Sequence, residues 1–159
     1  MQQNHRSTRL LGKLVRYGFG GLVLFFGLIQ LVPYGRDHAN PPVAREPVWD
    51  SPQTRELAVR ACFDCHSNES EWPWYSNIAP VSWLVQHDVD EGRDKLNFSE
   101  WGSNRRGEEE EEWAETIEEG EMPPPIYLLT HLDARLSETE RQLLINGLNA
   151  SASLVSEGD

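Results

Sequence analysis

An uncharged stretch of 18 residues, Tyr17–Tyr34, constrains this chain more than any other feature. Between its two terminal tyrosines, Gln30 is the only polar side chain. A helix of that length spans roughly 27 Å, close to the roughly 30 Å hydrocarbon core of a bilayer. The two tyrosines occupy the positions of the aromatic belts at membrane–water interfaces. The sequence therefore predicts a transmembrane anchor over residues 17–34.

Charge is divided sharply between the two sides of this stretch. Residues 1–36 hold five basic residues and no acidic one, whereas the rest of the chain holds nine basic and 26 acidic residues. Four of the basic residues precede the stretch, so the positive-inside rule predicts a cytoplasmic N-terminus over residues 1–16 and an exported remainder. In a bacterium this describes a single-pass protein of the inner membrane with a periplasmic C-terminal domain. Two alternatives stay open: a cleaved signal peptide, although no small-x-small cleavage site follows the apolar run, and a helix buried in a core.

The exported part is expected to be a small all-α domain over residues 51–149, because helix signals are frequent and no strand-like alternation of useful length occurs. The first predicted segments are a Pro-rich linker over 35–50, a helix capped by Ser51 and ending near Cys62, and a helix from Pro80 to about Leu96. The later ones are a helix over about 108–119 stopped by Gly120, a helix opened by the capping box Ser137–Glu140 with Leu143, Leu144 and Leu148 as its inner stripe, and a flexible tail over 150–159.

The strongest chemical signal is formed by the chain's only two cysteines, Cys62 and Cys65, in the pentapeptide CFDCH that ends at His66. C-x-x-C-H is the attachment pattern of c-type haem. Two thiols three residues apart at the end of a helix can both add to the vinyl groups of a porphyrin, and the adjoining imidazole then becomes the proximal ligand of the iron. The alternatives are a disulfide or redox pair, and a zinc site completed by His87 or His131. The pattern favours one covalently attached haem c.

Met122 is the candidate for the sixth ligand of the iron. It is the only methionine besides the initiator, it stands 56 residues after His66, and three prolines follow it. A thioether that binds the iron opposite a histidine raises the potential of a small cytochrome. The alternatives are that Met122 fills a gap in the core, or that His87 binds the iron instead.

The exported part resembles the bacterial haem-binding domain family, whose members are membrane-anchored proteins similar in layout to class I cytochromes c. The resemblance runs from about Pro47 to Asn149, and its most specific pieces are Cys62–Asn68, Trp72–Ser76, Ile78–Pro80, Ser82–Trp83, Leu96–Ser99, Gly120 and Met122–Pro124. It implies a class I cytochrome c-like helical domain around one covalent haem, attached at Cys62 and Cys65 with His66 as axial ligand. The run Glu108–Glu112 departs from the family pattern and is interpreted as a solvated helix face.

Three aromatic residues that follow the motif, Trp72, Trp74 and Tyr75, are candidates for the haem pocket. Flat side chains beside a porphyrin exclude water, and an indole N–H or a phenol can bond a propionate. Ordinary core packing is the alternative for each of them. Arg93 and Lys95 are further candidates for the propionates, with a solvated helix face as the alternative.

These expectations favour an electron carrier over an enzyme, because a haem with two axial protein ligands has no open position for a substrate. The alternative is a haem-based sensor or a peroxidase-like enzyme with a displaceable sixth ligand. A third class is a binding module that haem merely stabilises. The net charge of −17 over residues 37–159 argues against nucleic acid. It favours redox protein partners with basic surfaces, with solubility or a salty habitat as the alternatives.

Overall fold

The computed structural model describes residues 2–102 and 110–156, and it contains no β-strand within those ranges. The α-helices are α1 (Gln2–Ile29), α2 (Pro52–Ala61), α3 (Phe63–His66), α4 (Val81–Lys95), α5 (Glu110–Glu118) and α6 (Glu138–Ser156), with short 3₁₀ helices at Trp74–Asn77, Tyr127–Leu129 and Leu132–Ala134. The chain divides into an N-terminal unit (residues 1–37 and 74–86) and a second unit (residues 38–73 and 87–159). The expected all-α class is confirmed.

Helix α1 carries a window, Gly12–Ile29, that is long and apolar enough to cross a membrane. No part of this window is buried, which argues against the alternative of a core helix. The helix ends at Ile29 and not at Tyr34, because Pro33 lacks an N–H and disfavours the helical conformation of the residue before it. The apolar helical window therefore begins five residues earlier than the sequence predicts.

Gln30, the lone polar side chain of the apolar stretch, joins the end of α1 to the segment before α4. Its amide nitrogen donates to the carbonyl oxygen of Ala79 at 2.8 Å, and its amide oxygen accepts from the Ala79 N–H at 3.0 Å. Arg36 donates to both the backbone and the side-chain oxygen of Gln30 at 2.8 Å. The only polar side chain of the apolar stretch therefore has hydrogen-bond partners for both of its amide atoms within the N-terminal unit.

The second unit is built on the packing of α2 against α6. Helix α2 begins as expected, since Ser51 Oγ accepts from the Thr54 N–H at 3.2 Å and Pro52 takes the first helical position. Gly147 of α6 faces Thr54, and a Cβ on that glycine would collide with the threonine side chain. Helix α5 packs on α6 in turn. The buried apolar cluster between the elements consists of Leu57, Ala58, Phe63, Phe98, Trp101, Trp113, Ile117, Leu144, Ile145 and Leu148.

Helix α6 differs from the sequence prediction in its buried face and in where it ends. Leu143 is 40% exposed, and Ile145 takes the buried place that was expected for it. The helix also continues to Ser156, so a flexible tail is wrong for residues 150–156, whereas residues 157–159 lie outside the described chain. The reason is tertiary: the buried Ser151 hydroxyl accepts from the Asp50 N–H at 3.0 Å.

The capping box that opens α6 is confirmed. The Glu140 N–H donates to Ser137 Oγ at 3.3 Å, and the Ser137 N–H donates to the Glu140 carboxylate at 2.8 Å. These bonds, together with Arg60, hold the pKa of Glu140 at about 2. The start of α6 is therefore set by local sequence.

The Pro-rich stretch over 35–50 is not a free linker along most of its length. Residues 38–50 belong to the second unit, where Arg45 forms an isolated bridge with Glu100. The Ser99 carbonyl oxygen accepts from the Arg45 N–H at 3.0 Å, and the Arg45 carbonyl oxygen accepts from the Trp101 N–H at 3.0 Å. The backbone of this stretch is therefore paired where the sequence predicts an unpaired linker. Such pairing leaves no helical periodicity in the sequence, so periodicity does not predict it.

Helix α5 starts at Glu110, near the expected beginning of the third helix of the exported part. The interpretation of Glu108–Glu112 as a solvated face falls on side chains outside the described residues. Beyond them Trp113 is buried, and its indole N–H donates to Asn149 of α6 at 2.8 Å.

Candidate functional site

The pentapeptide CFDCH turns the chain at the end of α2. The helix stops at Ala61, Cys62 leaves helical geometry with φ −128°, and the short helix α3 follows at once. The N–H groups of Cys65 and His66 both return to the Cys62 carbonyl oxygen, at 3.2 and 2.9 Å. Phe63, between the two cysteines, is buried in the core and stacks on Phe98 with a ring distance of 5.4 Å. The motif is therefore fixed to the hydrophobic core through its own phenylalanine.

Both cysteines are half-buried free thiols. Burial raises the pKa of Cys62 to about 12, with a further contribution from Cys65. Burial also raises the pKa of Cys65 to about 12, helped by the charges of Asp64 and Asp88. Redox-active cysteine pairs depend on a lowered thiol pKa, so this environment is unlike theirs. Within the described part of the chain, no three His, Cys, Asp or Glu side chains converge to hold a metal ion, so nothing there supports the zinc alternative.

His66 is held in one orientation by the segment that follows α4. Its Nδ1 lies 3.0 Å from the Leu96 carbonyl oxygen. A carbonyl oxygen can only accept, so Nδ1 carries the proton and Nε2 keeps its lone pair. Burial lowers the pKa of His66, which favours the neutral imidazole. A backbone carbonyl bonded to one ring nitrogen is the usual second partner of a metal-ligating histidine.

The segment 96–99 is itself fixed by buried polar side chains. The amide of Asn97 donates to the side-chain oxygen of Asn68 at 3.0 Å, and the Asn68 N–H donates to Ser99 Oγ at 2.9 Å. The Phe98 N–H donates to the His66 carbonyl oxygen at 2.8 Å. The segment 96–99, which is among the most specific pieces of the family resemblance, therefore holds in place the carbonyl oxygen that orients His66.

Helix α4 approaches the motif most closely at Gly92. A Cβ at that position would lie 2.5 Å from the Cys65 carbonyl oxygen and 3.1 Å from Cys65 Cβ. Only a glycine lets the helix backbone come this near to the second cysteine.

Gly92→Ala is expected to displace the motif from α4, at a cost of about 1–3 kcal/mol typical of overpacking. The fraction of purified protein that carries haem and the thermal unfolding midpoint should both fall. Gly27→Ala is the matched control, because Gly27 is also helical but has nothing within 4 Å of the added atom. If Gly92→Ala and Gly27→Ala behave alike, the close approach has no role in the site.

Met122 follows directly on a defined helix end. Gly120 has φ +74°, and the Glu121 N–H and Met122 N–H both donate to the Thr116 carbonyl oxygen, at 2.9 and 3.1 Å. The half-buried Met122 side chain packs against the same buried cluster that Cys62 touches. The structure thus places both residues against one core.

Asp64, the central charged residue of CFDCH, binds the segment that follows Met122. Tyr127 Oη donates to Asp64 Oδ2 at 2.7 Å, and the ring of His131 stacks on that tyrosine with centroids 3.9 Å apart. Burial raises the pKa of Tyr127, and the bond to Asp64 raises it further. Sequence reasoning missed this pair, since an aspartate and a tyrosine 63 residues apart share no pattern. The only feature of the sequence that indicates a partner is the negative charge of Asp64 inside the motif.

The aromatic candidates lie in different units. Trp72 belongs to the second unit, where it stacks on His38 at 4.7 Å and donates to Asn40 at 3.2 Å. Trp74 and Tyr75 belong to the N-terminal unit and meet edge to face at 5.8 Å. Trp74 is 75% exposed, so core packing is wrong for it.

The remaining candidates, His87, His131 and Arg93, have different surroundings. His87 is exposed on α4, and His131 lies with its Nδ1 3.1 Å from the Tyr127 carbonyl oxygen. Arg93 is half-buried, and its guanidinium donates to the carbonyl oxygens of Ser67 and Ala39 at 2.8 and 3.1 Å. The arginine thus ties the start of the second unit to the loop after the motif.

In comparison with protein families, the model of a haem-binding domain matches residues 24–150 of the chain. No curated protein and no solved structure matches the chain. The matched range includes both cysteines, His66 and Met122.

Proposed function

Because the chain belongs to the haem-binding domain family, we propose that this haem protein carries electrons as a membrane-anchored c-type cytochrome. The hydrogen bond from His66 Nδ1 to the Leu96 carbonyl oxygen supports this most directly, since it puts the proton on Nδ1 and the lone pair on Nε2, in the residue next to Cys65. The donor set fits a haem: a neutral imidazole for the iron and a thiol pair with the spacing of thioether attachment.

Covalent attachment uses the two thiols without any redox change. Cys62 and Cys65 would hold the group: each S–H would add across one vinyl group, with an S–C bond formed and the thiol proton passed to the neighbouring vinyl carbon. Cys62 and Cys65 lie on one short turn closed by the Cys62 carbonyl oxygen, which fixes the backbone of both cysteines relative to that of His66.

Met122 is proposed as the second axial ligand. The segment after it is bonded to the motif through Tyr127 and Asp64, and five residues of chain span at most about 17 Å. Gly120 and the Thr116 carbonyl oxygen fix the start of that segment. A bound haem supplies a reversible ferric–ferrous couple, and two protein ligands leave it no free position for a substrate.

Location and partners follow from the division of charge. Helix α1 is proposed as the anchor, with its basic N-terminal side in the cytoplasm and the haem unit in the periplasm. The net charge of −17 over residues 37–159 would attract redox partners with basic surfaces and speed their encounter.

Carbon monoxide tests electron transfer against sensing or peroxidase-like chemistry. The purified, dithionite-reduced protein is expected to keep its visible spectrum under carbon monoxide, because both axial positions are filled by side chains. A shift of the Soret band at low carbon monoxide pressure would show a displaceable sixth ligand and would contradict the electron carrier. The same titration with Met122→Ala is the positive control, since that variant should bind the gas.

A further inference from the structure

The N-terminal unit exposes an unusual amount of apolar surface beyond α1. Large hydrophobic side chains are exposed there at Leu31, Val32, Tyr34, Trp74, Val81 and Leu84. Two of these six are the interface-preferring aromatics Trp and Tyr. Several large apolar side chains exposed in one unit indicate a contact site for protein or membrane.

The Gln30 amide fixes where this surface lies relative to the apolar helix. Gln30 follows directly on the window Gly12–Ile29, and both of its amide atoms bond the backbone of Ala79. Ser82 adds a bond of 3.4 Å from its hydroxyl to the Tyr34 carbonyl oxygen. The segment from Trp74 to Leu84 is therefore tied to the end of the helix, at the level where a bilayer's headgroups would begin.

One face of α4 changes from apolar to acidic along its length. Val81 and Leu84 are exposed on the first turn, and Asp88 and Glu91 continue the same i, i+3/i+4 row with exposed carboxylates. An apolar contact along this row has to end after Leu84, because a carboxylate is costly to bury in lipid. The change from apolar to acidic side chains along this row therefore marks where a contact with lipid would end.

We infer that the segment 74–84 lies in the interfacial layer of the bilayer, with Trp74, Val81 and Leu84 inserted among the lipid headgroups and upper acyl chains. This inference rests on the proposed anchoring of α1. The occupant of the patch is phospholipid because Leu31 and Val32 follow the apolar window closely in the chain and Gln30 ties the segment 74–84 to the end of that window. The protein would then hold its membrane through a helix and an adjoining amphipathic turn.

Environment-sensitive labels on the haem-loaded full chain in phosphatidylcholine vesicles test the inference. Trp74→Cys and Leu84→Cys each receive a nitrobenzoxadiazole label, and the unsubstituted protein must take up none. Glu91→Cys is the matched control on the same helix row, and Leu24→Cys within α1 reports the anchor. The ratio of quenching by a shallow nitroxide lipid to quenching by aqueous iodide is measured, and an unchanged haem spectrum confirms folding. Positions 74 and 84 are expected to give a several-fold larger ratio than position 91.

The outcomes separate this inference from the anchor itself. Lipid quenching at position 24, with positions 74 and 84 behaving like position 91, would leave the anchor intact and overturn the interfacial contact. Shielding of 74 and 84 from both quenchers would show that a protein or a second copy covers the patch, which also overturns it. Failure of lipid quenching at position 24 would overturn the anchor and the contact together.

Discussion

Cys62→Ala combined with Cys65→Ala is expected to abolish covalent haem completely. Both thioether anchors are then missing, and no other cysteine exists in the chain to replace them. The haem should be extracted by acid–acetone, and the pyridine haemochrome of the washed protein should be blank. The variant should also unfold at a lower temperature, because a ligand that binds only the folded state stabilises it.

Two further variants sharpen this result. Single replacement of either cysteine should retain one thioether, seen as a shifted α-band in the pyridine haemochrome. His87→Ala, on an exposed position of α4, should keep full attachment. Haem that survives acid–acetone in the double variant would contradict attachment at this motif.

Met122→Ala is expected to change the coordination of the iron without detaching the haem. The ferric protein should lose the weak near-infrared charge-transfer band of iron–methionine ligation, and the ferrous protein should bind carbon monoxide. The reduction potential should fall, since axial ligands set potentials over a range of about 0.8 V and the thioether favours ferrous iron.

Met122→His and His87→Ala separate the two ligand assignments. The imidazole of Met122→His should restore six-coordination at a potential below that of the unsubstituted protein, and His87→Ala should leave the band and the potential unchanged. If His87→Ala opens the iron while Met122→Ala keeps the original spectrum, the iron is held by two histidines. Electron transfer would then remain possible, with Met122 only a core residue.

The elements that the sequence predicts well are those that local chemistry decides. Ser51 before Pro52, and Ser137 three residues before Glu140, cap their helices through bonds within one turn. CFDCH is equally local, because its spacing places the donors on one short turn. Such signals are complete within a few residues, so no knowledge of the fold is needed to interpret them.

The features that the sequence does not predict depend on contacts between distant segments. The sequence does not predict the helical residues 150–156, because Ser151 is held by Asp50, and it does not predict the paired backbone before α2, because Arg45 pairs with the distant Glu100. In the site, the acceptor for His66 is the backbone of Leu96, and a carbonyl oxygen has no signature in side-chain patterns. Gln30 was visible as an exception in an apolar run, but its partner was the backbone of Ala79.

The position of Phe63 inside the motif has a consequence for protein design. Phe63 is 4% exposed and stacks on Phe98, while His66 depends on the carbonyl oxygen of Leu96. A graft of CFDCH alone onto the end of another helix would leave a phenylalanine in water and an imidazole free to rotate. If haem is attached at this motif as proposed, the smallest portable module from this protein is therefore two segments, 62–66 and 96–99, transplanted together with a cavity for the aromatic pair.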